Sequence, residues 1–200
     1  MRQADSPLAR IRAGTDALHQ ALDHESVMQH LMAPDLDRGR YAAVLQRLHA
    51  CYTALEPPLQ GYRASLLQPP AWFDSRYYQR SGELARDLKA LGHAPGAARD
   101  AARSDGLAPR HLSEAVGAIY VLAGASLGAR IIERQLRAQL KVGPELLHFF
   151  GERTSPDLPR WPELRRALDA ALAEPAHEAL ALGMARRVYA HFLHHLGPPL

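Results

Sequence analysis

The order of apolar and polar positions along the chain predicts an all-α protein. Apolar residues recur at helical spacing almost everywhere, and no strand-like alternation lasts more than a few residues. The first helix is predicted to begin at Ser6-Pro7, and the second to begin at Asp37 and end at Pro57-Pro58. Further helical segments are expected at roughly 59–67, 81–91, 111–141, 162–173 and 175–196. A Gly- and Pro-rich loop is expected at 92–110, between the second and third of these segments. We therefore expect one all-α domain over residues 1–200.

The predicted helix at 111–141 has an unusual run of small residues in the stretch YVLAGASLGARII. A glycine inside a helix costs about 1 kcal/mol relative to alanine. Gly117, Gly124 and Gly128 nevertheless share one helix face, and the residues around the last two are also small: Ala123, Ala125, Ser126 and Ala129. Two interpretations are open: a close crossing of two helices, or a large flat ligand lying against bare helix backbone.

Composition and charge limit the class of protein. Apolar residues make up 47% of the chain and charged residues 22%, which is ordinary for a globular protein. The net charge of +3 is too small to indicate nucleic acid without a basic cluster, and residues 1–50 show no basic helix-turn-helix of a transcription regulator. The single cysteine, Cys51, fits a reducing compartment. No secretion signal is visible, and the uncharged run between Glu114 and Arg130 is shorter than the about 20 residues of a membrane span. A cytoplasmic protein without a membrane span is expected.

Among the 11 histidines, His19 has the most distinctive surroundings. It follows Thr15 by four residues at the border of the apolar stripe of the first helix, and Asp23 follows it by four more. A histidine that binds a metal commonly donates its other ring N–H to a carboxylate. Arg12 places a cation on the same side. The alternative is a local His–Asp pair at a contact between helices. The sequence contains no zinc-binding motif, no phosphate-binding loop and no serine nucleophile motif.

These two features resemble the haem oxygenases. The stretch RAGTDALHQALD, with Arg12, Thr15, His19 and Asp23, is similar to the proximal helix of that family, and GASLG, with Gly124 and Gly128, to its distal helix. The preceding Tyr-Val-Leu is typical of bacterial members, especially those that accompany bacteriophytochromes. DLDRGRYAAVLQRLHACYTALEPPL and RSGELARDLKALG look like the second and third helices, so the resemblance covers most of the chain in the same order.

The resemblance implies a helical bundle with haem b between the proximal and distal helices. His19 would bind the iron, with Asp23 as its partner and Thr15 as part of the motif. The catalytic distal segment would be Gly124, Ala125, Ser126 and Gly128. The implied partners of the haem propionates are Arg12 and Arg165 or Arg166, with Tyr120 and Tyr189 as weaker candidates. The implied reaction uses O₂ and electrons to convert haem to biliverdin, CO and ferrous iron.

The resemblance also implies partners. An external electron donor is required, and an acidic ferredoxin-type protein or reductase fits the net positive charge. Basic residues recur along one side of the glycine-bearing helix, which is either a solvated face or a docking face: Arg130, Arg134, Arg137 and Lys141. In members associated with a bacteriophytochrome, that photoreceptor would receive the biliverdin.

The chain departs from the family pattern at three positions. Ala125 stands where mammalian members have an aspartate that organises water, Ala123 where phytochrome-associated members often have glutamate, and Ala129 where a third glycine is frequent. A second hypothesis is therefore a haem carrier or sensor that does not cleave its ligand. A third, a related helical enzyme acting on thiamin or quinone precursors, needs a set of acidic or cysteine residues in the core that the sequence does not show.

Overall fold

The structure is a computed structural model that describes residues 6–66, 78–95, 106–151 and 161–197. Within these ranges all regular structure is helical, which confirms the predicted all-α class. Two short 3₁₀ helices lie at Val27–Met32 and Pro144–Leu146. The α-helices are α1 (Pro7–His24), α2 (Arg38–Gln60), α3 (Arg63–Leu66), α4 (Ser81–Ala90), α5 (Leu112–Gly124), α6 (Ser126–Leu140), α7 (His148–Gly151), α8 (Trp161–Ala171) and α9 (Pro175–Leu196).

The predicted helix starts agree with the structure because they depend on local caps. The Ser6 hydroxyl accepts a hydrogen bond from the Ala9 N–H at 3.3 Å, and Pro7 occupies the first turn of α1. An Asp37 carboxylate oxygen accepts from the Arg40 N–H at 2.8 Å and so caps α2. These bonds satisfy backbone donors that have no partner within the helix itself.

Helix α9 is the central element, since it packs against α5, α1 and α2. At its crossing with α5, a Cβ added to Gly117 would lie 2.2 Å from the carbonyl oxygen of Ala181. At its crossing with α1, a Cβ added to Gly14 would lie 2.8 Å from Leu182 Cδ1. Helix α5 therefore approaches α9 more closely than any larger residue at position 117 allows, whereas a larger residue at position 14 requires the Leu182 side chain to shift.

Buried charges connect α2, α4 and α7 on another side of the bundle. Glu56, in α2, accepts hydrogen bonds from the Arg80 and Ser81 N–H groups at 2.5 and 2.6 Å. The fully buried Asp87, in α4, accepts from the backbone N–H groups of His148 and Phe149 at 2.8 and 2.9 Å. Each carboxylate thus satisfies the N-terminal backbone of another element, which offsets the cost of burying its charge.

Two predicted boundaries were wrong. The helix predicted over 111–141 is divided, because α5 ends at Gly124 and α6 begins at Ser126, with Ala125 between them. Glycines without side-chain packing weaken the helix at this point. Conversely, Pro57-Pro58 does not end α2, which continues to Gln60. The fixed φ of proline suits a helix, although each proline lacks the N–H of one backbone bond and its ring crowds the preceding turn. Leu59 is fully buried and holds the last turn in the core.

The segment Leu112–Leu140 meets the length and composition of a membrane span, although its uncharged run is short. Of its most apolar window, 56% is buried inside the protein. A core helix of a folded domain has the same property, so the segment is weak evidence for a span.

Candidate functional site

His19 is exposed on α1 and has one ring nitrogen in use. Its Nδ1 lies 3.1 Å from the Asp23 carboxylate, and the two side chains are 55% and 52% exposed. Because Asp23 occupies Nδ1, Nε2 is the nitrogen with which the ring can bind a ligand. In the described part of the chain, no group of three or more His, Cys, Asp or Glu side chains is placed to hold a metal ion. A metal bound at His19 would therefore arrive within a ligand that supplies its other donors.

Helices α1 and α5 meet one turn before these functional positions. Thr15, in α1, is buried, and its hydroxyl lies close enough to Tyr120, in α5, to lower the pKa of the Tyr120 phenol. The Thr15 hydroxyl donates to the Ile11 carbonyl of its own helix at 2.9 Å. His19 follows Thr15 by four residues, and Gly124 follows Tyr120 by four, so each lies one turn further along the same helix face.

The glycine pattern has two different causes. Gly117 is needed for the close crossing with α9, which agrees with the first interpretation, a close crossing of two helices. At Gly124 and Gly128, by contrast, an added Cβ meets no described atom within 4 Å. Within the described part of the chain, the backbone at these two positions therefore faces open space rather than a packed helix, and the second interpretation, a ligand against bare backbone, fits them.

Two arginines from different helices lie near Tyr120. Burial raises the pKa of Tyr120, whereas the positive charges of Arg12 and Arg165 and the nearby Thr15 hydroxyl lower it. Arg166 is exposed, and its Nε donates to the Pro162 carbonyl of its own helix at 3.4 Å. Of the two neighbouring candidates, the structure thus brings Arg165 to the Tyr120 cluster and turns Arg166 towards its own helix.

Tyr189 joins α9 to the same site. Its ring contacts the His19 ring with the centroids 6.0 Å apart and the planes at 69°, an edge-type arrangement. Burial raises its pKa, and Tyr120, Asp23 and Asp16 act in the same direction. Asp16 also raises the pKa of Tyr120. This residue was not among those predicted from the sequence. Its place three residues before His19, on a neighbouring part of the helix surface, was the available signal.

The remaining predicted residues lie at or beyond the α5–α6 junction. Ala125 is exposed at the junction itself, and the side chain of Ser126 is outside the described part. The predicted basic side of α6 and of the residue that follows it is exposed: Arg130, Arg134, Arg137 and Lys141. Ile131, on a neighbouring part of the helix surface, is 64% exposed. Arg137 pairs with Glu133 at 2.9 Å.

Taken together, these features define an α-helical protein with an exposed, carboxylate-paired histidine on one helix and two glycines without described neighbours on another. The haem oxygenase family model, described as "Heme oxygenase", matches residues 6–196. The chain belongs to the haem oxygenase family.

Relatives of known identity agree with this assignment. A heme oxygenase of Xanthomonas campestris pv. campestris (strain 8004) is 32% identical over 168 residues, which are 83% of this chain and 94% of that protein. The heme oxygenase of Leptospira interrogans has a similar structure, with a TM-score of 0.76 at 19% identity over 96% of this chain and 98% of that one. The NO- and CO-bound heme oxygenase of Neisseria meningitidis has a TM-score of 0.72 at 22% identity, over 96% and 90% of the two chains. At these identities the structural similarities show the fold.

Proposed function

We propose that this protein is a haem oxygenase that cleaves haem b to biliverdin, CO and ferrous iron, using O₂ and electrons from an external donor. The observation that carries the proposal is the open backbone at Gly124 and Gly128, joined through the Thr15–Tyr120 contact to a histidine whose Nε2 is available. Membership of the haem oxygenase family supports an oxidative, haem-degrading activity.

His19 and Asp23 form the iron-binding side of the proposed site. Nε2 of His19 would bind the haem iron, and the Asp23 carboxylate would hold the proton on Nδ1 and fix the tautomer. A porphyrin provides four nitrogen donors of its own, which fits a site that offers a single histidine. When bound, haem would supply both the iron at which O₂ reacts and the carbon that is oxidised.

The glycines form the opposite side of the proposed site. With no Cβ at Gly124 and Gly128, helix backbone would face the porphyrin and leave room for O₂. Ala125 and Ser126 complete the proposed catalytic segment. Since Ala125 has no polar side-chain atom, water near this segment would be held by backbone groups and by other side chains.

Cations near Tyr120 would bind the propionates. Arg12 and Arg165 come from different helices, and both positive charges lower the pKa of the Tyr120 hydroxyl. The two arginines would therefore engage the two carboxylates of one ligand. The Tyr120 hydroxyl is a further proposed partner, whereas Tyr189 would contribute to the site through the contact of its ring with His19. Arg166 remains a predicted partner, although the contact it makes is with its own helix.

We also propose a cytoplasmic location and an acidic electron donor, either a ferredoxin-type protein or a reductase. Four exposed basic side chains on one side of α6 and at its C-terminal end support a donor of opposite charge. A bacteriophytochrome is the proposed acceptor of the biliverdin.

Titration of the protein with haemin tests the ligand assignment. We expect a saturating Soret band at equimolar haemin, and His19→Ala should lose the spectrum of an axial histidine. Unchanged spectra in the variant would overturn His19 as the ligand. A Soret band that persists in the presence of reductant, O₂, ferredoxin and ferredoxin reductase would instead favour the haem carrier.

A further inference from the structure

Two contacts act on the imidazole ring of His19. The first is the bond between Nδ1 and Asp23 at 3.1 Å, between side chains that are both more than half exposed. Exposed pairs of this kind constrain their partners weakly, because both side chains retain rotational freedom and compete for water. The Asp23 side chain can also move together with the ring, so Asp23 fixes which nitrogen is used more strongly than it fixes the ring plane.

The second contact is the edge-type packing against Tyr189. The ring centroids are 6.0 Å apart and the planes meet at 69°. Tyr189 is only 6% exposed, in contrast to His19. A buried aromatic ring has few accessible orientations, and it excludes those orientations of a neighbouring ring that would overlap it. The buried ring therefore limits the plane of the exposed one.

Helix packing determines where the Tyr189 ring lies. Leu182, Arg186 and Tyr189 follow one another at four and three residues, so they share a face of α9. Leu182 packs over Gly14, where its Cδ1 would be 2.8 Å from an added Cβ, and Arg186 Nε donates to the Gly14 carbonyl at 3.0 Å. These contacts fix α9 along α1, and Tyr189 reaches His19 as the next residue of the same face.

We propose that Tyr189 is the positioning residue that sets the plane of the His19 imidazole, through its ring rather than its hydroxyl. The inference rests on the proposed function of His19 as the axial ligand of haem. Asp23 determines which nitrogen is presented, and Tyr189 determines the orientation in which it is presented. This role differs from that of a propionate partner, for which the hydroxyl is the essential group.

The first test uses the protein without haem. In the full-length chain with isotope-labelled histidine, His19 is assigned by comparison with His19→Gln. We expect nuclear Overhauser contacts between the His19 and Tyr189 rings, and His19 ring shifts that Tyr189→Phe preserves. Tyr189→Leu should move those shifts towards the values of an unpacked imidazole. Absence of the ring-to-ring contacts in the unmutated protein would overturn the proposal even if the leucine variant failed to fold.

The second test uses the haemin-loaded, reduced protein and the iron–histidine stretching band in resonance Raman spectra. The band should be unchanged in Tyr189→Phe and should shift or broaden in Tyr189→Leu, while both variants still bind haemin. An equal change in the two variants would show that the hydroxyl is the essential group, and no change in either would show that the ring has no positioning role. Both results would overturn the proposal. Failure of the proposed function would appear separately. If His19 is not the iron ligand, the iron–histidine stretching band persists in His19→Gln.

Discussion

Gly117 and Gly124 lie on one face of α5 but have opposite surroundings, and this difference predicts opposite effects of alanine. A Cβ at Gly117 would meet the Ala181 backbone at 2.2 Å, so Gly117→Ala should lower the free energy of unfolding by about 1–3 kcal/mol through overpacking. Gly124→Ala meets no described atom and should leave stability unchanged or raise it by up to about 1 kcal/mol. Urea unfolding of the two variants checks this, and equal destabilisation would contradict the open face.

The same open face predicts a selective loss of ligand binding. Gly124→Leu should fold, because the side chain enters space where no described atom lies within 4 Å of the added Cβ. It should nevertheless weaken or abolish the haemin Soret band, since the new side chain would occupy the proposed porphyrin position. Gly124→Ala is the matched control and should retain haemin. Full haemin binding by the leucine variant would mean that the ligand lies elsewhere.

Arg165 and Arg166 provide a second matched pair at the residue scale. The positive charge of Arg165 lowers the pKa of Tyr120, whereas Arg166 donates a hydrogen bond to the Pro162 carbonyl of its own helix. Removing one charge-assisted hydrogen bond to a propionate costs about 1.5–3 kcal/mol. Arg165→Gln should therefore weaken haemin affinity at least roughly tenfold, and Arg166→Gln should change it little. A competition titration with apomyoglobin measures both, and the reverse order would restore Arg166 as the propionate partner.

At the scale of the element, the N-terminus of α5 depends on an uncommon cap. His111 Nδ1 accepts the Ser113 N–H at 3.2 Å, in the position usually taken by a Ser, Thr, Asp or Asn oxygen. His111→Ala should therefore lower the free energy of unfolding by about 1 kcal/mol, while His111→Asn should retain it. Urea unfolding at neutral pH distinguishes the two. If the asparagine variant is as unstable as the alanine variant, the cap is not what His111 contributes.

The helices show which features a sequence can predict. The starts of α1 and α2 were predictable because the capping residues, Ser6 and Asp37, lie within three residues of the donors that they satisfy. The end of α2 was not, because burial of Leu59 outweighs the effect of Pro57-Pro58. The division at Ala125 was also missed, since apolar residues continue through it and only the lack of packing at the glycines distinguishes the junction.

The site was predictable to the extent that it depends on spacing along one helix. His19 and Asp23 are four residues apart, and the pair has the expected contact. The different surroundings of Gly117 and Gly124 depend on α9, which is more than fifty residues away in the sequence. The difference between Arg165 and Arg166 depends on the rotation of α8 relative to Tyr120, and adjacent residues cannot reveal this rotation.

At the scale of the whole molecule, His191 makes stability depend on pH. The side chain is buried in α9, and burial, followed by the neighbouring His195, lowers its pKa from 6.5 to about 4. Between these values the unfolded chain binds the proton and the folded chain does not, so stability falls as the pH is lowered from 6.5 to 4. The full loss from this group is about 3 kcal/mol.

Urea unfolding of the unmutated protein and His191→Gln across this pH range tests the account. Glutamine retains a donor for the Cys51 carbonyl, which lies 3.3 Å from His191 Nε2, but does not titrate. The variant should show a shallower loss of unfolding free energy on acidification. Parallel pH profiles of the two proteins would exclude His191 as the cause.

The central claim is that this chain cleaves the haem bound at His19. Its most direct test is a turnover of the equimolar haemin complex in air with ferredoxin, ferredoxin reductase and NADPH, followed by chromatography of the pigment and detection of CO. We predict that the Soret band is lost, that biliverdin and CO form in equal amounts, and that His19→Ala abolishes both. Haem that stays intact while the donor reduces its iron would contradict the claim and identify the protein as a haem carrier or sensor.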